Sequence, residues 1–302
     1  MYCLRPLLVR QWAEIGGKKV KTNSYHLVPC GSCVACLARK RNEWTYRLTK
    51  EKEYSDYTYF GTLTYDQKNI PIRIKDDVPY FVFDKKHVQD YLKRVRYFIS
   101  QVDKAIKISY YVTSEYGGIG HRPHYHMILY VKNDSFLKHK KQIDMILRDC
   151  WIYGFVTFKA ATPANIHYVT KYCVKDLEQT PPDCIDPVFI LVSKKPYIGA
   201  SHELDLQLQC DMSGDEPKVF NNGMPGAMPR IFRTKLGVSG LNVLMSDVDC
   251  RLTHHQELLF MRDFAKTHSS FNINDFHDYV GRRLFAMEKA AERRQLKRNE
   301  KL

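Results

Sequence analysis

The sequence predicts an α+β fold built around an antiparallel sheet. The stretch YTYFGTLTY (57–65) is rich in β-branched and aromatic residues and precedes turn-prone residues, as strands do. Two further strand-like stretches, ISYYVTSE (108–115) and HYHMILYV (124–131), are joined by the glycine-rich YGGIGHRP, which is typical of a hairpin. Helical patterns interleave with these strands, and this combination favours helices packed on an antiparallel sheet.

Three helices and one more strand complete the predicted core. The first helix follows Asp84, a candidate N-cap, and its apolar side chains recur at three and four residues: Val88, Tyr91, Leu92, Val95, Phe98 and Ile99. Two further helices are expected at about 134–150 and 163–176. The short stretch GFVTF (154–158) between them is expected to be a strand.

The character of the sequence changes twice along its 302 residues. We therefore predict a Cys-rich, basic N-terminal region at 1–50, a core at 51–180 and a loop-rich C-terminal region at 181–302. The last region is expected to end in a basic helix, because the segment from Gly281 carries eight Lys or Arg against three Glu. Such a tail usually gives salt-sensitive affinity for nucleic acid without sequence recognition.

The charge balance indicates a polyanionic partner. Lys and Arg number 47 and Asp and Glu 33, a net charge of +14, so nucleic acid is the leading candidate, and a merely basic protein is the alternative. No apolar run is long enough to cross a membrane, and the N-terminus lacks the apolar core of a secretory signal. We expect a cytoplasmic protein that does not bind membranes.

Two histidines, His124 and His126, stand one residue apart in the predicted strand HYHMILYV. Side chains alternate along a strand, so both project from one face about 7 Å apart, which allows them to bind one cation. Pairing across the hairpin places Glu115 beside His124, and two imidazoles with one carboxylate leave positions open for a substrate oxygen. Mg²⁺ or Mn²⁺ is the expected ion for a phosphate substrate. His121 is the alternative third ligand, and a polar strand face is the alternative to a metal site.

The segment NIHYVTKYCVKD (165–176) places Tyr168, Lys171, Tyr172 and Lys175 in one stripe of a helix. Nearby cations favour the phenolate of tyrosine, whose ordinary pKa is about 10, and lysines can also neutralise a phosphodiester. The pattern therefore indicates tyrosine nucleophiles that attack phosphorus, with the two lysines assisting. The alternative is a stripe of core tyrosines packed on the sheet, which leaves the lysines unexplained.

Three cysteines, Cys30, Cys33 and Cys36, follow the pattern C-x-x-C-x-x-C, and the odd total of nine argues against a disulfide framework. Structural Zn²⁺ needs four ligands and commonly uses a C-x-x-C pair. Either Cys3 or His26 could supply the fourth ligand, and the sequence does not decide between them. An iron–sulfur cluster or unligated thiols are the alternatives to zinc.

Basic residues next to the cysteine cluster suggest a DNA-binding helix. Arg39, Lys40, Arg41 and Arg47 could follow a DNA backbone while Trp44 or Tyr46 stacks on a base, and a solvated helix face is the alternative. The stretch SKKPYIG, with Lys194 and Lys195, is a further candidate phosphate contact.

The order of three motifs resembles that of HUH endonucleases. These motifs are the FGTLTY strand (60–65), the HYH strand (124–126) and the YVTKYCVK helix (168–175). Two tyrosines in the third motif resemble the two-tyrosine subgroup of rolling-circle replication initiators. More narrowly, VPCGSCVACLARKRNEW, EYGGIGHRPHYH, SKKPYIGA and MPRIFRTKLG resemble the gokushovirus-type replication initiation proteins of the Microviridae.

This resemblance implies an HUH fold with a central sheet of about five antiparallel strands flanked by helices. It implies metal ligands at His124 and His126 and nucleophiles at Tyr168 and Tyr172. Glu115 is a weaker transfer, because the third ligand varies in type across the class. Tyr125, between the two histidines, fits the hydrophobic position only through its largely apolar ring.

The implied activity is metal-dependent nicking of single-stranded or unpaired origin DNA of a small phage. One tyrosine forms a 5′-phosphotyrosine and frees a 3′-hydroxyl for a host polymerase, and the second tyrosine allows the strand to be rejoined as a circle without ATP. The implied partners are origin DNA and host replication proteins such as helicase and polymerase, in the bacterial cytoplasm. Two alternatives remain: a non-enzymatic, zinc-stabilised nucleic-acid-binding protein, and an HUH transposase or relaxase.

Overall fold

The computed structural model describes residues 3, 7–118, 120–171, 186–213, 219–221, 224–226, 228–236, 259 and 261–267, with isolated positions between 275 and 290. The chain divides into two compact units. One is Arg41–Pro229, and the other combines Met1–Lys40 with Arg230–Leu302. The regional boundaries at residues 50 and 180 stay a prediction. Most of the basic segment from Gly281 lies outside the described residues.

A five-stranded antiparallel sheet forms the centre of the Arg41–Pro229 unit. Its strands are β3 (Tyr57–Tyr65), β6 (Lys107–Tyr116), β7 (Pro123–Lys132), β8 (Gly154–Ala160) and β9 (Ile190–Val192). They lie in the order β8-β3-β7-β6-β9, and every neighbouring pair is antiparallel. The predicted α+β class with its antiparallel sheet is confirmed. The sequence did not predict β9, because three residues are too few to show a pattern.

Helices cover both faces of this sheet: α1 (Val34–Glu53), α2 (Lys85–Val102), α3 (Phe136–Asp149) and α4 (Pro163–Lys171). Alternation along β7 assigns its side chains to two cores. Tyr125, Met127, Leu129 and Val131 share one core with the buried residues of α2 and α3. Ile128 and Tyr130 lie in the other core, with Leu48 of α1 and with Ile166 and Val169 of α4. His124 and His126 therefore belong to the sheet face that α1 and α4 cover.

Helix α2 begins as predicted. The Asp84 carboxylate accepts hydrogen bonds from the backbone N–H groups of Lys86 and His87, which satisfies two donors at the helix start. The predicted apolar face is buried except at Phe98, whose side chain is 45% exposed. Phe98 was wrongly assigned to the core: it falls at the border of the apolar stripe, where it packs edge-on against the exposed Tyr97 instead.

Several smaller elements were not predicted. In the Arg41–Pro229 unit they are the hairpin of β4 (Ile72–Lys75) and β5 (Val78–Phe81), helix α5 (Glu203–Ser213), and the pair β10 (Val219–Asn221) and β11 (Met224–Gly226). The other unit contains a hairpin of β1 (Leu7–Ile15) and β2 (Lys18–Val28), and helix α6 (Arg230–Lys235). Within the described part of the chain, no helix combines the length and apolarity needed to span a bilayer.

Candidate active site

The hairpin of β6 and β7 places the predicted metal ligands at one end of the sheet. Glu115 and His124 are directly opposite each other in the register, so the predicted pairing is confirmed. The Glu115 carboxylate also reaches His126, the next residue on the same face, with 2.7 Å between its oxygen and Nε2. Both side chains are largely buried. Two imidazoles and one carboxylate thus share one face of two adjacent strands.

Two threonines of β3 fix the orientation of the histidine rings. Thr62 is the register partner of His126 and Thr64 that of His124. Their hydroxyl oxygens lie 3.1 and 3.2 Å from the respective Nδ1 atoms. If Nδ1 donates its proton to the threonine, Nε2 of each ring is left with its lone pair, the form that binds a metal. The sequence analysis identified FGTLTY only as a strand motif and gave these threonines no role, although their two-residue spacing matches that of the histidines.

Tyr168 of α4 brings a nucleophile to this group. Its hydroxyl lies 3.3 Å from the Glu115 carboxylate and 3.4 Å from Nε2 of His126. Its ring packs edge-on against the ring of His126, with 5.0 Å between centroids. Phe60 stacks on His126 and contacts Tyr168 edge-on, so this β3 side chain supports both groups.

The exposure of Tyr168 argues against a purely structural tyrosine stripe. Ile166, Val169 and Thr170 are the buried residues of α4, whereas Tyr168 is 40% exposed. Lys171 is the last described residue of the helix and is half-buried. Tyr172 and Lys175, the other members of the predicted stripe, lie outside the described residues.

The residues present fit a divalent cation. The donor set is two imidazoles and a carboxylate, all on one sheet face, with the Nδ1 atoms of both rings in contact with threonine hydroxyls. Burial, and then the charge of nearby His126, lower the pKa of His124, which favours the neutral ring that a metal requires. His121, the alternative third ligand, lies in the hairpin turn, and its Nδ1 is buried with no hydrogen-bond partner among the described residues.

Gly117 lies against the Nε2 atom of His124. A Cβ added at this position would lie 2.9 Å from Nε2 of His124, whereas a Cβ at the neighbouring Gly118 would meet nothing within 4 Å. We therefore expect Gly117→Ala to weaken Mn²⁺ binding by about 10- to 100-fold, the range for disturbing groups that orient a metal ligand. Calorimetric titration with Mn²⁺ measures the effect. Gly118→Ala is the matched control, and equal affinities of the two variants would contradict this assignment.

The predicted base-stacking residues of α1 have a different role. Tyr46 is buried and hydrogen-bonds to His202 at 2.7 Å, and Trp44 packs against Tyr111 with 5.1 Å between centroids. The guanidinium of Arg47 lies over Trp44, and its Nε donates to the carbonyl of Ile198. The interpretation of Trp44 and Tyr46 as DNA-stacking residues was wrong, because this part of α1 turns its aromatic side chains toward the protein interior.

The fold and site agree with a class of proteins that act in replication. Residues 58–177, which include β3, the histidine strand and α4, match the family model of the replication-associated protein ORF2. Over this range the chain belongs to that family.

The relatives include phage proteins. The chain is 27% identical over 250 residues to the replication-associated protein VP4 of Bdellovibrio phage phiMH2K, covering 77% of this chain and 76% of the relative. It is 27% identical over 172 residues to the replication-associated protein ORF4 of Chlamydia phage 1, covering 53% of this chain and 41% of the relative. The predicted resemblance to phage replication proteins is confirmed.

One solved structure also aligns with the chain, the N-terminal nuclease domain of minute virus of mice non-structural protein 1. The alignment covers 56% of this chain and 83% of that domain at 9% identity, with a TM-score of 0.20. A similarity at this level supports no inference about this chain.

Proposed function

We propose that this protein is a rolling-circle replication initiator that nicks single-stranded origin DNA of a small phage. The observation that carries the proposal is the position of the Tyr168 hydroxyl, 3.3 Å from Glu115 and 3.4 Å from Nε2 of His126. The match of residues 58–177 to a replication-associated family and the relatedness to phage replication proteins support the same function. The net charge of +14 suits a nucleic-acid substrate.

The proposed reaction is a phosphodiester transfer to tyrosine. The Tyr168 oxygen forms a bond to phosphorus while the bond from phosphorus to the 3′ oxygen of the preceding nucleotide breaks. The phenol proton leaves toward Glu115, which already accepts a hydrogen bond from this hydroxyl. The departing 3′ oxygen takes up a proton and becomes the 3′-hydroxyl that a polymerase extends. The products are a free 3′ end and a 5′-phosphotyrosine that keeps the energy of the broken linkage.

His124, His126 and Glu115 are the proposed ligands of the catalytic cation, Mg²⁺ or Mn²⁺. When bound, such an ion would neutralise charge that develops on the scissile phosphate. The protein side chains contribute orientation: Thr62 and Thr64 hold the two rings, and Phe60 supports His126 and Tyr168. His121 stays the alternative to Glu115 as third ligand.

The second tyrosine would complete the replication cycle. Tyr172 follows Tyr168 by one helical turn in the sequence, and we propose that it cleaves the regenerated origin after one round. The released 3′-hydroxyl then attacks the first phosphotyrosine and closes a circle. Lys171 and Lys175 are proposed to favour the phenolates and to neutralise the phosphodiester. The proposed partners are origin DNA and the host helicase and polymerase, in the bacterial cytoplasm.

A basic groove offers a path for the DNA backbone. It has a volume of about 970 Å³, and its described lining includes seven Lys or Arg residues and no acidic residue. It runs between α2 and the β9 edge and includes Lys107, at the opposite end of β6 from Glu115. Those two residues are about 27 Å apart along the strand. Lys194 and Lys195, which the sequence suggested as phosphate contacts, both line the groove.

Neutralising this groove is expected to weaken DNA binding through its salt-dependent part. Lys107→Ala and Lys194→Ala should each reduce the slope of log affinity against log salt by about 0.7 for single-stranded DNA, and equally for different sequences. Fluorescence anisotropy at several salt concentrations measures the slope. Lys86→Ala is the control, because Lys86 lies outside the groove and pairs with Asp90. If the control and groove variants lose the same slope, the groove is not the DNA path.

Formation of a covalent adduct tests the proposed function. The purified chain is incubated with single-stranded phage-origin oligonucleotides and Mn²⁺, then denatured. We expect a protein–DNA band that survives denaturation and is absent when EDTA is added. The absence of any adduct with every divalent metal tried would leave a non-enzymatic nucleic-acid-binding protein as the better account. Cleavage of transposon ends or plasmid transfer origins, with phage origins left intact, would point instead to a transposase or relaxase.

A further inference from the structure

Four cysteines outside the proposed active site converge on one point. The sulfur atoms of Cys3, Cys30, Cys33 and Cys36 all lie within 4.8 Å of one another. The Cys3–Cys33 and Cys30–Cys36 sulfur separations are 3.9 and 4.0 Å. Four thiolates around zinc, with Zn–S bonds of about 2.3 Å, are about 3.8 Å apart at tetrahedral angles. A disulfide would require about 2.05 Å, and all four residues are free thiols.

Backbone donors surround these sulfurs. The N–H of Cys33 donates to the sulfur of Cys30 at 3.3 Å, and the N–H of Cys30 donates to the sulfur of Cys3 at 3.2 Å. Gly31 permits this turn with a φ of 77°, a left-handed conformation that glycine adopts without strain. The hydroxyl of Ser32 is a further donor to Cys30. Such donors stabilise negative charge on sulfur, as a metal-bound thiolate requires.

The cluster also occupies the start of a helix. Cys33 directly precedes α1 and Cys36 lies in its first turn, where the helix dipole favours negative charge. Burial acts to raise the pKa of Cys30, but the hydrogen bonds from Cys33 and Ser32 lower it to about 6. Burial raises the pKa of Cys36. A metal ion would displace the remaining protons from the thiols.

We propose that Cys3, Cys30, Cys33 and Cys36 bind one structural zinc ion. Four protein ligands leave no open coordination position, so the ion would stabilise the fold and take no part in the nicking chemistry. Cys3 precedes β1 and Cys30 follows β2, so the ion closes the open end of this hairpin onto the first turn of α1. The convergence of Cys3 on the other three sulfurs assigns it as the fourth ligand in place of His26.

Metal content and X-ray absorption of the wild-type chain test this proposal. The full chain is purified without an affinity tag from medium containing zinc and iron. We expect about one zinc and almost no iron per chain, with four sulfur scatterers at about 2.3 Å from the zinc. Zinc near zero, iron in its place, or three sulfurs with one nitrogen would overturn the proposal or its assignment of Cys3.

Two variants separate the candidate fourth ligands. Cys3→Ser should lower the zinc content well below one per chain, and the cobalt-substituted variant should lose part of its thiolate-to-cobalt charge-transfer absorption. His26→Ala should keep both wild-type values. The reverse result would make His26 the ligand. Because these readouts do not depend on DNA cleavage, they stand apart from the test of nicking.

Discussion

The double variant Tyr168→Phe Tyr172→Phe is expected to lose the covalent adduct completely. Phenylalanine lacks the oxygen that bonds to phosphorus, and both tyrosines must be removed because either could replace the other. We expect cleavage to fall by at least about 10⁴-fold, the scale on which removal of a nucleophile acts. Denaturing gels of the adduct measure this, and anisotropy should show DNA binding close to that of the wild type.

The control for this variant is Tyr97→Phe, which removes a hydroxyl from an exposed tyrosine on α2. It should cleave like the wild type. The single variants assign the order of attack: the one that still forms the first adduct but no longer closes a circle lacks the second nucleophile. A double variant that still forms the adduct would exclude both tyrosines.

Replacing His126 by alanine is expected to reduce cleavage by more than about 100-fold, because its loss exceeds the effect of disturbing a group that only orients a ligand. Two of the three proposed ligands remain, so a higher Mn²⁺ concentration should restore part of the activity. It should restore none in the tyrosine double variant. This difference distinguishes a ligand from a nucleophile.

His139→Ala, on α3 at the opposite face of the sheet, is the control and should keep wild-type activity at every Mn²⁺ concentration. Glu115→Gln keeps the size of the side chain but loses its charge. If Glu115 is the third ligand, its variant should need more Mn²⁺, as His126→Ala does. If the Mn²⁺ requirement is unchanged, His121 becomes the better candidate.

The sequence predicted the core of this site because its signals are local. Alternation along β7 put His124 and His126 on one face, and the short connection of the hairpin placed Glu115 opposite His124. Both follow from strand geometry and loop length. The spacing of Tyr168 on its helix was equally readable.

Contacts between distant segments could not be predicted in this way. Thr62 and Thr64 reach the histidines only through the register of β3 against β7, about 60 residues away in the chain. The interior positions of Trp44 and Tyr46 likewise depend on how α1 packs on the sheet. The choice between Cys3 and His26 required the three-dimensional positions of the sulfurs.

The most direct test of the central claim is to identify the residue that carries the DNA. Trypsin cleaves after Lys159, Lys171 and Lys175, so it separates the two tyrosines into the peptides 160–171 and 172–175. After nuclease trimming of the trapped adduct, mass spectrometry should find the nucleotide mass on the peptide that contains Tyr168. A nucleotide attached to any residue other than Tyr168 and Tyr172, or no nucleotidyl peptide at all, would contradict the account.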